Sequence, residues 1–528
     1  MKNFTRKLIG VVMILMMMFV FIDTESFAEK DTFVIGMEAN YAPFNWSQST
    51  DANGAYPIEN SKGEYANGYD LQIAKKIADS LGKKLVVVKM EWDGLAPAVM
   101  SGKVDAIIAG MSPTKERKEQ IDFSDTYYSS DLVIVTKKDS KYINAKSLND
   151  LKGFKITGQL NTFHYSVIDQ IKDCDKLPAM ESFPSMLSAV LAEKIDGYVS
   201  EKPQALSAEA SNAELSYIEF EKGSGFETSA EDTSIAIGVK KNSDLTEKIN
   251  EALKKISPEE RDKLMQEMVR LNVEKDQPQG FLSKVKSIFN EYGSLFLKGA
   301  LMTLFIASVS TIVGFLIGIL VAVIRNMKLD KDKDKNKFTY YLHKVINFIL
   351  ACYVEIFRGT PMMVQSMLIY FGAKLYLGID MAPISAALFI VSVNTGAYLS
   401  EVVRGGINSV DVGQMEACKA LGMTHGQSMI NVILPQAIKN ILPSIGNEFV
   451  INIKDTSVLN VISVTELFFV SKSIAGSTYN IFETYAVTCV IYFVLTFSLT
   501  RLLLFIEKKS NNREYVMEAT TGGMFNGK

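Results

Sequence analysis

The sequence predicts a multidomain protein in which a bilobed α/β domain precedes an all-α membrane domain with about five spans. Three observations support this fold class. The first 28 residues have the pattern of an export signal, strands and helices alternate over residues 31–275, and five long apolar segments follow residue 295. The predicted divisions are a signal peptide (1–28), a bilobed domain (29–275), a linker (276–294), a transmembrane domain (295–508) and a tail (509–528).

The composition is that of a soluble part averaged with a membrane part. Of 528 residues, 48% are hydrophobic and 22% are charged, a mean that fits neither class alone. An aromatic content of 10% argues against a disordered chain, and a net charge of −3 gives no support to a nucleic-acid partner. The four cysteines form no CxxC pair and there are only three histidines. We therefore expect neither a disulfide scaffold nor a metal site, and no cofactor in this chain.

The N-terminal segment has the three parts of a secretory signal. Basic residues precede an apolar run over residues 8–22, and Ser26-Phe27-Ala28 follows it as a small-x-small cleavage signal. The run is short for a membrane span, so we expect cleavage after Ala28, with an uncleaved anchor helix as the alternative.

Residues 31–275 alternate between strand and helix patterns. Short apolar strands are expected at 33–36 and 104–109, and apolar spacing predicts a helix over 70–81. The pattern then restarts, which indicates two α/β units with parallel sheets. The chain should cross between the two lobes near residues 131–136 and 233–239.

The second half contains segments of the length that a membrane span needs. The five candidates are residues 299–324, 345–372, 382–399, about 429–450, and 485–506. Lysine and arginine are concentrated just after the first and just after the last span, which predicts that the loop after the first span and the chain after the last span are cytoplasmic. The start of the first span, and the domain before it, should then lie outside the cell. Arg358, Glu355 and Glu466 lie in or near the spans and should face protein or an aqueous path, either as structural contacts or as substrate contacts.

A motif at residues 413–435 is the most informative part of the membrane domain. It reads Glu416-Ala417-Cys418, then Gly422, then Val432-Ile433-Leu434-Pro435. This spacing resembles the EAA loop of ABC importer permeases, and the stretches at 355–361 and 454–457 resemble the polar amino acid branch of that family. The resemblance implies that Glu416, Ala417 and Gly422 belong to a cytoplasmic helix that couples to an ATPase, and that two permease copies, identical or different, form one transporter. Because the sequence has no G-x-x-x-x-G-K-[ST], the ATPase must be a separate subunit, and this chain is not expected to be an enzyme.

Several stretches of the first half together resemble the amino acid binding proteins of the periplasmic type. These stretches are residues 35–44, 68–70, 109–117, 121–128, 157–162 and 196–203. The resemblance implies a periplasmic-binding-protein-like fold whose two lobes close on an L-amino acid by a hinge motion.

The residues at matching positions fit the two charges of an amino acid backbone. Arg117 can bind the α-carboxylate through its guanidinium, and the backbone N–H groups near Ser112 and Thr162 can add donors. Glu201 stands where the family usually has Asp for the α-ammonium, and Gly110 permits close approach of the backbone. A surface salt bridge is the alternative role for Arg117.

The remaining positions face the ligand side chain. Tyr41 and Tyr69 stand where family aromatics sandwich it, with core packing as the alternative. Glu38 points to its far end, where a carboxylate favours arginine, lysine or histidine. Glutamine or another neutral polar amino acid could also donate to Glu38, so it stays as the alternative ligand. The insertion at residues 47–66 is expected only to be a surface loop.

The sequence therefore predicts the substrate-binding and permease subunit of an ATP-driven amino acid importer. An amino acid-gated channel is the alternative from another class, since such channels also join a bilobed amino acid domain to membrane spans. The uninterrupted binding domain and the EAA-like helix argue against it. An enzyme is disfavoured because no constellation of nucleophile, base and metal is present.

Overall fold

The computed structural model describes residues 31–229, 233–273, 280–327 and 337–522. The proposed signal peptide, the start of the proposed linker and the last residues of the proposed tail lie outside the described residues.

The first half is built from strands and short helices. The strands are β1 (Thr32–Met37), β2 (Asn40–Tyr41), β3 (Asn45–Gln48), β4 (Tyr56–Pro57), β5 (Tyr65–Asn67), β6 (Lys84–Lys89), β7 (Ala106–Ile107), β8 (Ile121–Phe123), β9 (Tyr128–Ser129), β10 (Leu132–Lys137), β11 (Lys155–Thr157), β12 (Asp175–Lys176), β13 (Gly197–Glu201), β14 (Leu215–Ile218), β15 (Ser234–Ile235) and β16 (Gly238–Lys240). The helices are α1 (Tyr69–Leu81), α2 (Trp92–Ser101), α3 (Lys115–Gln120), α4 (Phe163–Ser166), α5 (Phe183–Leu191), α6 (Lys202–Ser211), α7 (Leu245–Lys254) and α8 (Pro258–Val273), with 3-10 turns at Ala52–Gly54, Leu148–Leu151 and Val167–Gln170.

Two five-stranded sheets form the two lobes. The first has the order β6-β1-β7-β16-β8 and the second the order β12-β11-β13-β10-β14. In the first sheet, β6, β1 and β7 are parallel and β16 runs antiparallel to both of its neighbours, β7 and β8; in the second, β10 runs antiparallel to β13. Both sheets are therefore mixed rather than parallel throughout. The antiparallel pair β9–β15 joins the lobes, with Ser129 opposite Ser234. One crossing thus comes just before the predicted 131–136 segment, and the other lies within 233–239.

Helix α1 illustrates how the sequence pattern produces an element. Its apolar residues recur on one face, and Leu71, Ile73 and Ile77 are fully buried against the first sheet. Gly82 ends the helix in the left-handed conformation with φ +62°, which glycine adopts without a steric penalty. The observed helix matches the predicted 70–81 to within one residue.

Helices make up the second half. They are α9 (Phe281–Arg325), α10 (Lys337–Gly359), α11 (Met362–Leu377), α12 (Pro383–Ser409), α13 (Val412–Ala420), α14 (His425–Ser428), α15 (Leu434–Asp455), α16 (Leu467–Thr478) and α17 (Ile481–Gly522), with a π-helical turn at Met429–Ile433 and a 3-10 helix at Thr456–Ile462. Helix α9 begins at Phe281, so most of the segment expected to be a linker is helical.

The number of apolar helices agrees with about five spans. Within the described residues, three helices are long and apolar enough to cross a membrane, and the number rises to five if each of two bent pairs is one span. One pair bends by 114° between α10 and α11, inside the predicted second span. The other bends by 57° before α16, beyond the proline-containing fourth span.

Small residues let α9 and α12 approach closely. A Cβ atom on Gly314 would lie 2.7 Å from the Cβ of Thr395, and one on Gly318 would lie 2.9 Å from the carbonyl carbon of Leu399. Glycines spaced by four residues expose the backbone to a neighbouring helix, which is how helices associate tightly in lipid.

We predict that Gly314→Ala destabilises the membrane part by about 1–3 kcal/mol, because the added methyl group overpacks this contact. The measurement is the apparent melting temperature of the full chain in detergent. Gly293→Ala in the same helix is the control, since nothing lies within 4 Å of its added Cβ. Equal melting temperatures for the two variants would contradict the packing argument.

Candidate functional site

A narrow cavity lies between the two lobes of the first half. Seven of the eight residues expected to bind ligand line it: Glu38, Tyr41, Gly110, Ser112, Arg117, Thr162 and Glu201. The structure adds Trp92, Ala109, Gln159, Phe163, His164 and Phe183. The distant sequence stretches therefore meet at one place.

Strand topology explains this convergence. Glu38 directly follows β1, Trp92 comes shortly after β6, and residues 109–112 follow β7. In the second lobe, residues 159–164 follow β11 and Glu201 ends β13. The carboxyl ends of parallel strands lie at one edge of a sheet, and the two such edges face each other across the cleft.

Arg117 occupies the middle of the cleft on α3. Its guanidinium donates to the carbonyl of Ser112 at 2.9 Å and to the carbonyl of Asn161, in the other lobe, at 2.8 Å. The ring of Trp92 lies 5.1 Å from its Cζ. Burial lowers the pKa of Arg117 to about 10, so the group stays cationic at neutral pH.

Glu201 is the anionic group on the opposite lobe. The hydroxyl of Tyr41 donates to one of its carboxylate oxygens, and His164 Nε2 lies 2.9 Å from the other, an ion-pair distance without the alignment of a hydrogen bond. Burial raises the pKa of Glu201, but the interaction with His164 and the hydrogen bond from Tyr41 outweigh it and hold the pKa below its ordinary value. Glu201 is therefore a carboxylate at neutral pH.

The aromatic wall differs from the expected one. Tyr41 stacks between Phe44 and Phe183, with ring centroids 5.1 and 4.4 Å away. Tyr69 does not line the cavity; its side chain is fully buried and its hydroxyl donates to the carbonyl of Tyr127 at 2.9 Å. Its place at the start of α1 turns it into the core of the first lobe, so core packing is its role in this arrangement.

Glu38 lines the cavity with 5% of its surface exposed. Burial is the main reason that its pKa is raised to about 8, and the nearby carboxylate of Glu91 adds to the rise while Lys472 opposes it. Protonated Glu38 therefore predominates at pH 7 unless a cation stabilises its charged form.

Gly110 is the residue whose lack of a side chain the cavity requires. Its φ is +64°, and a Cβ atom there would lie 3.0 Å from Cε1 of Tyr41.

Two of the residues that sequence reasoning overlooked had a detectable signal. Trp92 follows a parallel strand, which is a usual ligand position. His164 lies two residues past Thr162, a predicted ligand residue. Phe183 begins α5, and its position beside Tyr41 depends on closure of the two lobes, which no local pattern reveals.

The EAA-like motif forms an exposed helix. Glu416 and Ala417 lie on α13 with their side chains exposed, and Gly422 follows it with φ +76°. Val412 and Leu421 are 72% and 80% exposed, which is unusual for large apolar side chains. Apolar side chains at both ends of the helix thus lie on the surface of the single chain.

The bend between α10 and α11 is held by buried amides. Gln365 donates to the carbonyls of Phe357 and Thr360 at 3.1 and 3.0 Å, and Asn394 donates to Gln365 at 3.0 Å. These bonds satisfy backbone groups that the bend frees from the helix ladder. Glu466 has a structural role too: its carboxylate accepts from the backbone N–H groups at the start of α16. Arg358 and Glu355 are exposed in the single chain.

Comparisons with known proteins cover both halves of the chain. Residues 33–269 match the model of bacterial extracellular solute-binding proteins, family 3, and residues 337–512 match that of the binding-protein-dependent transport system inner membrane component.

Among curated relatives, the arginine transport system permease protein ArtQ of Bacillus subtilis (strain 168) is 35% identical over 218 residues, which are 41% of this chain and 93% of that protein. The putative glutamine transport system permease protein GlnP of Rickettsia bellii (strain RML369-C) is 35% identical over 212 residues, 40% of this chain and 91% of that protein.

Among solved structures, the chain is similar to an amino acid ABC transporter substrate-binding protein, AbpA from Streptococcus pneumoniae Canada MDR_19A, bound to L-arginine. The identity is 25%, the match covers 47% of this chain and 98% of that chain, and the TM-score is 0.40. With a permease and a solute-binding domain matched in a single sequence, the chain belongs to the binding-protein-dependent amino acid ABC importers, as an extracellular solute-binding domain of family 3 joined to an inner-membrane permease component.

Proposed function

We propose that this chain captures a basic amino acid, such as arginine, lysine or histidine, and forms the permease through which an ATPase drives its import. The observation that carries the proposal is the set of charged groups that line the cleft. Arg117 is cationic, Glu201 is anionic, and Glu38 adds a second carboxyl group. An amino acid with a cationic side chain carries the complementary set.

Each ligand charge has a partner of suitable chemistry. The guanidinium of Arg117 can turn from the carbonyls it contacts to hold the α-carboxylate with two hydrogen bonds. The α-ammonium takes the place of Tyr41 and His164 at Glu201, and Tyr41 and Phe183 pack on the aliphatic part of the side chain. The side-chain cation then reaches Glu38, where it favours the ionised carboxylate.

Glutamine is the second candidate ligand. A protonated Glu38 can donate to the amide oxygen of glutamine without any cation. The curated relatives support both ligands, since one is named for arginine and another for glutamine. The two ligands differ in whether Glu38 loses its proton on binding.

The membrane part is proposed to work with a separate ATPase and with a second permease copy. The exposed apolar side chains of Val412 and Leu421, next to Glu416, support docking of α13 on the ATPase. In this arrangement α13 faces the cytoplasm with the C-terminus, and the binding domain lies outside the cell.

Arg117→Ala should weaken amino acid binding by about 100-fold or more, because it removes the charged partner of the α-carboxylate and leaves that charge unpaired. The measurement is calorimetry of the full chain in nanodiscs. Lys115→Ala, an exposed lysine on the same helix, is the control. An affinity within about threefold of wild type would contradict the assignment of Arg117.

Arginine binding should release close to one proton at pH 7, because Glu38 has a pKa of about 8 before the ligand cation stabilises its charged form. The affinity for arginine should therefore rise with pH, by up to roughly tenfold per unit below pH 8, and level off above it. Glutamine should release no proton. Calorimetry in buffers of different ionisation enthalpy measures the number released, and Glu38→Gln should abolish the pH dependence. If neither ligand releases a proton on binding and glutamine binds more tightly than arginine, the basic-ligand proposal is overturned.

Leu421→Asp should stop ATP-dependent uptake and leave ligand binding within about twofold of wild type, since this exposed side chain can pack only on a partner. Uptake of labelled arginine in cells that express the ATPase subunit is the measurement, and Lys344→Gln, another exposed position, is the control. Uptake that persists without any ATPase would exclude the importer and favour the channel.

A further inference from the structure

Helix α16 of the permease lies against both lobes of the binding domain. Lys472 forms an ion pair with Glu91 in the first lobe, and its Nζ lies 3.9 Å from a carboxylate oxygen of Glu181 in the second. One turn later, a Cβ atom on Gly476 would lie 2.6 Å from Asn40 and 3.5 Å from Pro184, again one residue from each lobe. The helix therefore sits across the mouth of the cleft.

The lysine on this helix acts on the acidic end of the cavity. Glu91 directly precedes Trp92, a cavity-lining residue, and its charge and that of Asp93 both act on Glu38. Lys472 acts on Glu38 in the opposite sense, lowering the pKa that the two carboxylates raise. The permease thus places a positive charge within electrostatic range of the group proposed to hold the ligand's side chain.

We propose that Lys472 lowers the affinity of the cleft for a cationic amino acid when the binding domain is docked on the permease, so that docking itself promotes release. The inference rests on the proposed function, because it requires a ligand with a cationic side chain. Repulsion between two cations that share one group of carboxylates is the physical cause. A neutral ligand does not experience it.

Lys472 has a second, opposing effect that is smaller. By touching both lobes it favours their closure, which would tighten binding of every ligand. The contact with Glu181 is long, however, and the Glu181 side chain is 76% exposed, so solvent screens it. Glu91 and Lys472 are only 14% and 15% exposed, and their interaction is screened less.

Docking does not depend on Lys472 alone. Lys103 of the first lobe forms an ion pair of 2.8 Å with Asp380, and Lys374 donates to the carbonyl of Gly102 at 2.8 Å. Ser47, in the insertion that we expected to be only a surface loop, lies 2.9 Å from the hydroxyls of both Ser473 and Ser477. These contacts hold the domain in place through residues other than Lys472 and Glu91.

A second lysine, Lys89, is buried beside Glu64 and also interacts with Glu38, but it belongs to the binding domain. Docking gives Lys89 a contact with Ser473 of α16, whereas Lys472 is itself supplied by the permease.

The test compares Lys472→Gln with wild type in the full chain in nanodiscs. Calorimetry, direct or by displacement, gives the dissociation constants of L-arginine and of L-citrulline, which has nearly the shape of arginine without its charge. At pH 9, where Glu38 is ionised before and after binding, the variant should bind arginine about three- to tenfold more tightly and citrulline equally well, because only the charged ligand is repelled. At pH 7 the difference for arginine should be smaller, because Lys472 also lowers the pKa of Glu38 and so favours the ionised carboxylate that the ligand cation binds. Lys472→Arg keeps the charge and should match wild type, and Lys374→Gln, which alters a docking contact away from the cavity, should change neither constant by more than about twofold. Uptake of arginine by the Lys472→Gln variant should be slower.

The outcomes separate the two proposals. If wild type binds arginine but the ratio of the two constants is unchanged in Lys472→Gln, the role of Lys472 is wrong and the proposed ligand stands. Equal tightening or weakening for both ligands also overturns it, because that result indicates the closure effect. If wild type binds glutamine and no basic amino acid, the proposed ligand fails, and the role of Lys472 fails with it.

Discussion

Glu201 and Glu38 are buried carboxyl groups and Arg117 is partly buried, and a buried charge is tolerated only where partners compensate for its lost hydration. Arg117 finds a carbonyl in each lobe, and Glu201 is held by Tyr41 from one lobe and His164 from the other. Closure of the lobes therefore brings these charged groups and their partners together. A zwitterionic amino acid offers the same compensation with better geometry, which is why a domain built on this constraint selects amino acids. The rest of the fold serves to bring these few groups to one point.

Two helices of the permease serve its two proposed partners, the ATPase and the binding domain. Its exposed helix α13 carries the EAA-like motif, and its helix α16 lies on the cleft. The chain between them runs through the π-helical turn, α15 and the 3-10 helix with few residues outside helices. Helix α13 is thus joined to α16 through nearly continuous helix, so a movement of α13 can reach the helix that contacts the binding domain. The bent regions on either side are stabilised by Gln365, Asn394 and Glu466, whose bonds to backbone groups make each bend a defined structure.

The sequence was sufficient for whatever depends on local pattern. The strand–helix alternation predicted the sheets, and because ligand residues follow strands, seven of eight proposed binding residues converge in the structure. What remained hidden depends on tertiary contact. Tyr69 has the same side chain as Tyr41, and only its place at the start of α1 decides that it packs in the core. The polar stretch expected to be a linker is helical because Ile288 and Tyr292 pack against α16 and α17, and that burial overrides its composition. Phe183, which completes the aromatic wall, lies in the other lobe from Tyr41.

A binding protein fused to its permease has to satisfy two opposed demands, since tight capture slows delivery. Conformational opening can meet both demands for any ligand, but it must break every contact at once. A charge supplied by the permease acts differently: it weakens one contact, that of the side-chain cation with Glu38, and leaves the backbone contacts with Arg117 and Glu201 intact. By thermodynamic reciprocity, the bound cation weakens docking by the same factor by which docking weakens binding of the cation. The rest of the interface must therefore supply the free energy of docking. The cluster of Glu64, Lys89 and Ser473 is suited to that task, because it is buried and therefore less screened by solvent than a surface ion pair. Through Ser47 and Glu64, the insertion at residues 47–66 thus gains a docking role that its sequence alone did not indicate.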